Sequence, residues 1–153
     1  MLDYPAIRKL ADERHQQHKG KRSSRPLTQD YEYVGLVAEF AFGAAYGLEV
    51  DTTLRPNGDD GYDFDTCAGT LDIKASAKPP KWLPVEFMKV KADIYVQAHV
   101  DLTTETVTFL GWAYKKTVEE HPVLDKFRYG ILSHWVPKKA LRPMEELEEL
   151  LKA

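Results

Sequence analysis

Asp59-Asp60-Gly61-Tyr62-Asp63-Phe64-Asp65-Thr66-Cys67-Ala68-Gly69-Thr70-Leu71-Asp72-Ile73-Lys74 reads as two short strands joined by a tight turn. Tyr62 and Phe64 alternate with Asp63 and Asp65, and beyond Ala68-Gly69 the apolar Leu71 and Ile73 alternate with Thr70, Asp72 and Lys74. Successive side chains on a strand point to opposite faces, so each strand carries acids on one side and apolar groups on the other. Directly opposed residues of an antiparallel pair share a face. Pairing Cys67 with Thr70 sets Asp65 against Asp72 and Asp63 against Lys74, whereas pairing Thr66 with Gly69 sets Asp63 against Asp72. Either register gathers Asp63, Asp72 and Lys74 on one face, and a slip of one residue scatters them. Carboxylates held close together repel, and one pKa rises. A stable fold assembles them mainly to hold a cation, and a hard divalent ion such as Mg2+, or Mn2+ in its place, suits oxygen ligands.

Upstream, Thr28 is placed to cap a helix running to about Tyr46, with Asp30 and Glu32 near its positive end and Gly47 as its stop. Val37, Phe40, Ala41 and Ala44 form its apolar face. Glu39 lies among these apolar residues, where a lone carboxylate is costly to bury. Either it sits on the exposed edge of the helix, or it points at a cation or at hydrogen-bond donors. The Asp/Lys cluster downstream favours the second reading.

An acid after a glycine-containing turn, then Asp-x-Lys about ten residues later, with a helical glutamate upstream, resembles the PD-(D/E)xK nucleases of the restriction-endonuclease-like superfamily. The Gly61-Tyr62-Asp63 form looks most like the variant of methyl-directed restriction enzymes and small phage nucleases. The resemblance spans roughly residues 28–113. It implies a mixed α/β fold with a restriction-endonuclease-like core, a central mixed β-sheet flanked by helices. It also implies Mg2+-dependent hydrolysis of DNA phosphodiester bonds. By the same resemblance Asp63 is the metal-bridging acid, Asp72 the second metal ligand beside the backbone carbonyl of Ile73, Lys74 the catalytic lysine, and Glu39 the helical acid that completes or orients the metal shell. Tyr62 stands where the pattern has proline, and Asp59, Asp60 or Asp65 compete with Asp63 for the ligand role. The family core places a helix between its third and fourth strands, but Lys78-Pro79-Pro80-Lys81-Trp82-Leu83-Pro84 is too proline-rich to supply one. Lys78, Lys81 and Trp82 instead suggest a substrate loop with Trp82 stacking on a base, or else a lid over the core edge.

The remaining elements are simpler. Asp3 caps a helix over residues 4–18, in which Ile7, Leu10 and Ala11 face inward. Lys21, Arg22 and Arg25 lie in a basic stretch that is either a solvated linker or an arm touching phosphates. Strands are expected over Leu48–Leu54, Ala92–Val100, Thr106–Ala113 and Ile131–Val136, the last as an edge. A short helix fits Tyr114–Glu120, and Pro143 opens an acidic C-terminal helix with Met144, Leu147, Leu150 and Leu151 inward. The expectation is one domain over 1–153, with the first helix and basic linker in 1–27 and the last helix at about 143–152.

The 153 residues are 43% hydrophobic and 29% charged, as in ordinary globular proteins, with a formal net charge of −3. That charge gives no global attraction to nucleic acid, so a nuclease needs locally basic surface and bound metal. A single cysteine, Cys67, excludes an internal disulfide framework and is read as a packing residue at a strand end. The five histidines show no zinc-site spacing, and no phosphate-cradling or dinucleotide glycine motif is present. The N-terminus lacks the pattern of a signal peptide and no apolar run spans a membrane, so a cytoplasmic location is expected. DNA is the expected partner, RNA is left open, and a homodimer would suit double-strand cutting. A non-catalytic nucleic-acid- or protein-binding module on the same scaffold is the competing reading.

Overall fold

The computed structural model describes residues 2–18, 31–52, 61–128 and 130–152. In chain order these form α1 (Tyr4–His18), α2 (Tyr31–Tyr46), β1 (Phe64–Thr66), β2 (Gly69–Ser76), β3 (Trp82–Glu86), β4 (Ile94–Asp101), β5 (Thr106–Tyr114), α3 (Lys115–Glu120), β6 (Val123–Leu124), β7 (Ser133–Pro137), a 3-10 turn at Lys138–Ala140, and α4 (Met144–Leu151). The class is mixed α/β. A four-stranded sheet has the order β1-β2-β4-β5, and a three-stranded sheet has the order β3-β7-β6. In the larger sheet β1–β2 and β4–β5 are antiparallel while β2–β4 is parallel. The smaller sheet is antiparallel throughout.

Alternation along the strands of the larger sheet divides the core in two. Leu71 and Ile73 of β2, Ile94 and Val96 of β4, and Trp112 of β5 pack with Leu36, Val37 and Phe42 of α2, Ile7 of α1 and Leu147 of α4. Their neighbours Tyr95 and Ala113 face the other way and pack with Leu83, Val85 and Val136 of the smaller sheet. The larger sheet is thus covered by helices on one face and by the smaller sheet on the other. Phe42 anchors the helical side, its ring 4.6 Å from Tyr46 and 5.4 Å from both Phe64 and Phe109. Among the described residues no helix is long and apolar enough to cross a membrane.

Local chemistry explains the element ends. The Ala6 N–H donates to Asp3 Oδ1 at 3.1 Å, which caps α1 as its sequence suggests. Gly47 adopts φ +69°, and the Leu48 N–H returns to the Gly43 carbonyl at 2.9 Å, so α2 ends in a Schellman-type turn. That turn sends Leu48 and Val50 back onto the helical core. The strand expected over Leu48–Leu54 is therefore absent at Leu48–Thr52, and its last two residues lie outside the described set.

Two other expectations change. Trp82–Glu86 is not a loop but β3, because alternation of Leu83 and Val85 with Trp82, Pro84 and Glu86 gives it one buried and one open face. Proline at position 84 is tolerated because β3 is an edge strand, paired with β7 alone. The strand expected over Ile131–Val136 as an edge is β7, and it lies in the middle of its sheet. Its partners β3 and β6 are short and carry few sequence signals of their own. The crossover from β2 to the parallel β4 accordingly runs through β3 rather than through a helix.

Candidate functional site

The hairpin adopts one of the two registers that unite the acids. Thr66 pairs with Gly69, Asp65 with Thr70 and Phe64 with Leu71. The ladder ends there: the Asp63 N–H also donates to the Leu71 carbonyl at 2.8 Å, so Asp63 lies against β2 just before β1 begins. Thr66 holds the turn: its Oγ1 donates to the Gly69 carbonyl at 2.7 Å and accepts from the Ala68 N–H at 3.1 Å. Gly61, two residues before Asp63, has φ +91°, and a Cβ there would lie 2.7 Å from Lys91 Cδ. Only glycine fits that position, and it directs the chain into β1.

Beyond Phe64 the edge of β2 is open, because β1 has ended. A cleft of about 940 Å³ occupies that edge. Glu39 reaches it from α2, Asp63 from the β1 approach, Asp72 and Lys74 from β2, and all four line the same space. Of the competing acids, Asp65 is exposed and outside the cleft lining, and Asp59 and Asp60 fall outside the described residues.

The geometry is tight. Asp63 Oδ2 accepts the Ile73 N–H at 2.7 Å. Asp72, only 8% exposed, accepts the Lys74 ammonium at 2.8 Å. Burial first, then the charges of Glu39 and Asp72, push the Asp63 carboxyl well above the ordinary carboxylate range, against the lowering effect of the Ile73 N–H. Burial works against the charge of Lys74, but the Asp72 charge and hydrogen bond outweigh it and hold the ammonium above its usual value. Lys74 therefore remains a cation at neutral pH.

These are hard oxygen donors around a point of excess negative charge, which suits Mg2+ rather than zinc. Among the described residues no three histidine, cysteine, aspartate or glutamate side chains already converge as a ready-made ligand shell. A metal would therefore also draw on main-chain oxygen, such as that of Ile73, and on water.

The other expected binding residues divide. Lys81 and Trp82 line the cleft, while Lys78 is exposed outside it, in a turn tied by Ser76 Oγ. Lys21, Arg22 and Arg25 lie outside the described residues. Cys67 is exposed in the hairpin turn rather than packed, its Sγ 3.4 Å from the Leu151 carbonyl at the end of α4. His134 is buried, its Nδ1 2.7 Å from the His121 carbonyl.

Sequence reasoning missed Tyr31, Gln97, Lys126, Phe127 and Trp135, all of which line the cleft. Four of these carry no local signal, since they arrive from distant segments. Gln97 did carry one, as a lone amide in the otherwise apolar run Ile94–Ala98. Comparison of the chain with protein-family models, with curated proteins and with solved structures finds no significant match.

Proposed function

We propose that the cleft is the active site of a Mg2+-dependent nuclease that hydrolyses DNA phosphodiester bonds, on a scaffold akin to the restriction-endonuclease-like core. The observation that carries this reading is the convergence of Glu39, Asp63, Asp72 and Lys74 at the open edge of β2. Mixed strand directions and helices on one face of the larger sheet support the scaffold assignment, while β3 stands where that core has a helix.

Asp63, Asp72 and the Ile73 carbonyl would hold the ion, and Glu39 would complete or orient its shell. Bound Mg2+ supplies polarisation of the scissile phosphate and a lowered pKa for the attacking water. Lys74, held protonated, serves as a positioned cation for the water or for the developing phosphorane charge, and not as a general base. Ion binding requires Asp63 to release the proton its surroundings favour.

Asp72→Ala and Lys74→Ala should each lower Mg2+-dependent cleavage of plasmid or linear DNA by roughly 10²-fold or more. Circular dichroism should show the fold retained. Full cleavage by either variant, in protein free of contaminating nuclease, removes these roles. The absence of a ready three-residue ligand shell among the described residues favours a second reading, a module that binds nucleic acid or protein without turnover. Binding of DNA with no product in Mg2+ or Mn2+ would select it.

A further inference from the structure

The half of the cleft away from the acids has a different chemistry. Its floor is one face of the smaller sheet, where Trp82 and Pro84 of β3 lie beside Trp135 of β7, which pairs directly with Pro84. Lys126 holds its ammonium 4.0 Å from the centre of the Trp82 ring, and Phe127 meets Trp135 edge-on at 5.5 Å. Trp82 is 37% exposed and Phe127 64%.

Gln97 forms the wall between the two halves. It is the direct β4 partner of Lys74, so its side chain leaves the same face of the sheet. Its Nε2 donates to the Trp82 carbonyl at 2.6 Å, which fixes the amide orientation. Its Oε1 is buried and has no hydrogen-bond partner among the described residues. A buried acceptor left unmade is costly. The β4–β5 register shifts between Gln97 and Ala98, a bulge of the kind that re-aims side chains beside functional sites.

We propose that this aromatic half is a subsite for an unpaired nucleobase, so that the substrate is single-stranded or locally unpaired DNA rather than intact duplex. The proposal rests on the nucleic-acid reading of the neighbouring acid site and names its substrate class. Duplex binding is driven by many phosphate contacts to basic surface. Among the described residues the cleft offers little of that: Glu32, Glu39, Asp63, Asp72 and Glu86 outnumber its lysines, and Lys89 is bound to Glu86 at 3.0 Å. What it offers is exposed aromatic faces at Trp82 and Phe127. A paired base has its own faces covered by its neighbours, whereas a splayed base can stack its ring on Trp82. Lys126 then lies over the stack as a cation–π partner within reach of a phosphate.

The test is binding in EDTA, which separates it from cleavage. The probes are a fluorescein-labelled single strand of about ten nucleotides, the same strand with abasic central positions, and the matching duplex, a length set by typical single-strand sites. The intact single strand should bind about tenfold more tightly than the abasic one and should quench tryptophan fluorescence. Trp82→Ala should erase that difference, and Trp82→Phe should keep most of it. Equal affinity for intact and abasic strands, or the same preference in Trp82→Ala as in the parent, overturns the subsite. Cleavage in Mg2+ is scored apart: duplex cutting indifferent to Trp82 removes the subsite and leaves the nuclease. Base-dependent binding with no cleavage of any substrate removes the nuclease and leaves the subsite.

Discussion

Asp63 sits where burial, Glu39 and Asp72 all oppose its charge. The metal-free protein therefore holds a carboxyl at this position at a cost to its own stability, a common price of a preorganised site. Asp63→Asn keeps an oxygen to accept the Ile73 N–H and removes the titration. We expect it to raise metal-free stability by about 1 kcal/mol near neutral pH while abolishing Mg2+-dependent cleavage. Urea denaturation in EDTA measures the first effect, and a variant less stable than the parent contradicts this account of Asp63. Tyr46 shows the opposite use of a carboxylate. Its hydroxyl is pushed up to about 12, first by burial and then by Glu148, to which it donates at 3.0 Å, tying the end of α2 to α4.

At the level of elements, the C-terminus of α2 makes a sharp test of packing against propensity. Gly43 lies inside the helix, where alanine is ordinarily favoured by about 1 kcal/mol. A Cβ at this position would stand 2.5 Å from the Leu48 carbonyl, the very residue that closes the helix stop. That neighbour is backbone and cannot rotate away. Gly43→Ala should therefore destabilise the protein, by roughly 1–3 kcal/mol, read from the midpoint of thermal or urea unfolding. A neutral or stabilising result would mean that the Leu48 turn is looser than its geometry implies. Because Glu39 lies one turn before Gly43, displacement of this helix end also moves the acid that faces the cleft.

For the molecule as a whole, the site links stability, protons and metal. The folded-state pKa of Asp63 is raised above its unfolded value, so its contribution to stability is present below the ordinary carboxylate range and is lost as pH rises through the raised value. The metal-free protein should lose stability from this group as pH climbs from about 4 towards neutrality. Mg2+ should restore more stability at high pH than at low pH, because binding expels the Asp63 proton. Melting temperatures with EDTA and with Mg2+, taken from pH 5 to 8, check this. A metal-induced shift that is constant with pH, or absent from both the parent and Asp63→Asn, removes the proposed linkage.

Periodicity, capping and turn chemistry by themselves determined α1, the acidic hairpin, β4, β5 and α4, because each is specified by local contacts within a few residues. For α2 they gave the span and the stop, but its buried face is Val34, Leu36, Val37, Ala38 and Phe42, with Ala44 exposed, and its expected cap Thr28 lies outside the described residues. Two-residue alternation along β2 sends Asp72 and Lys74 to one face, and Asp63 joins them in the cleft lining through its bond to the Ile73 N–H. Which register forms, and that Asp63 rather than Asp65 enters the cleft, depended on the turn closing at Thr66 and Gly69. The second sheet was settled only by tertiary structure. β3 and β6 are stabilised by pairing with β7, which they meet across 49 and 9 residues of chain at Val85–His134 and Leu124–Ser133 respectively, and no local pattern encodes such pairings. The aromatic wall of the cleft, with Trp82, Lys126 and Trp135 drawn together, follows from that sheet and was beyond the reach of sequence for the same reason.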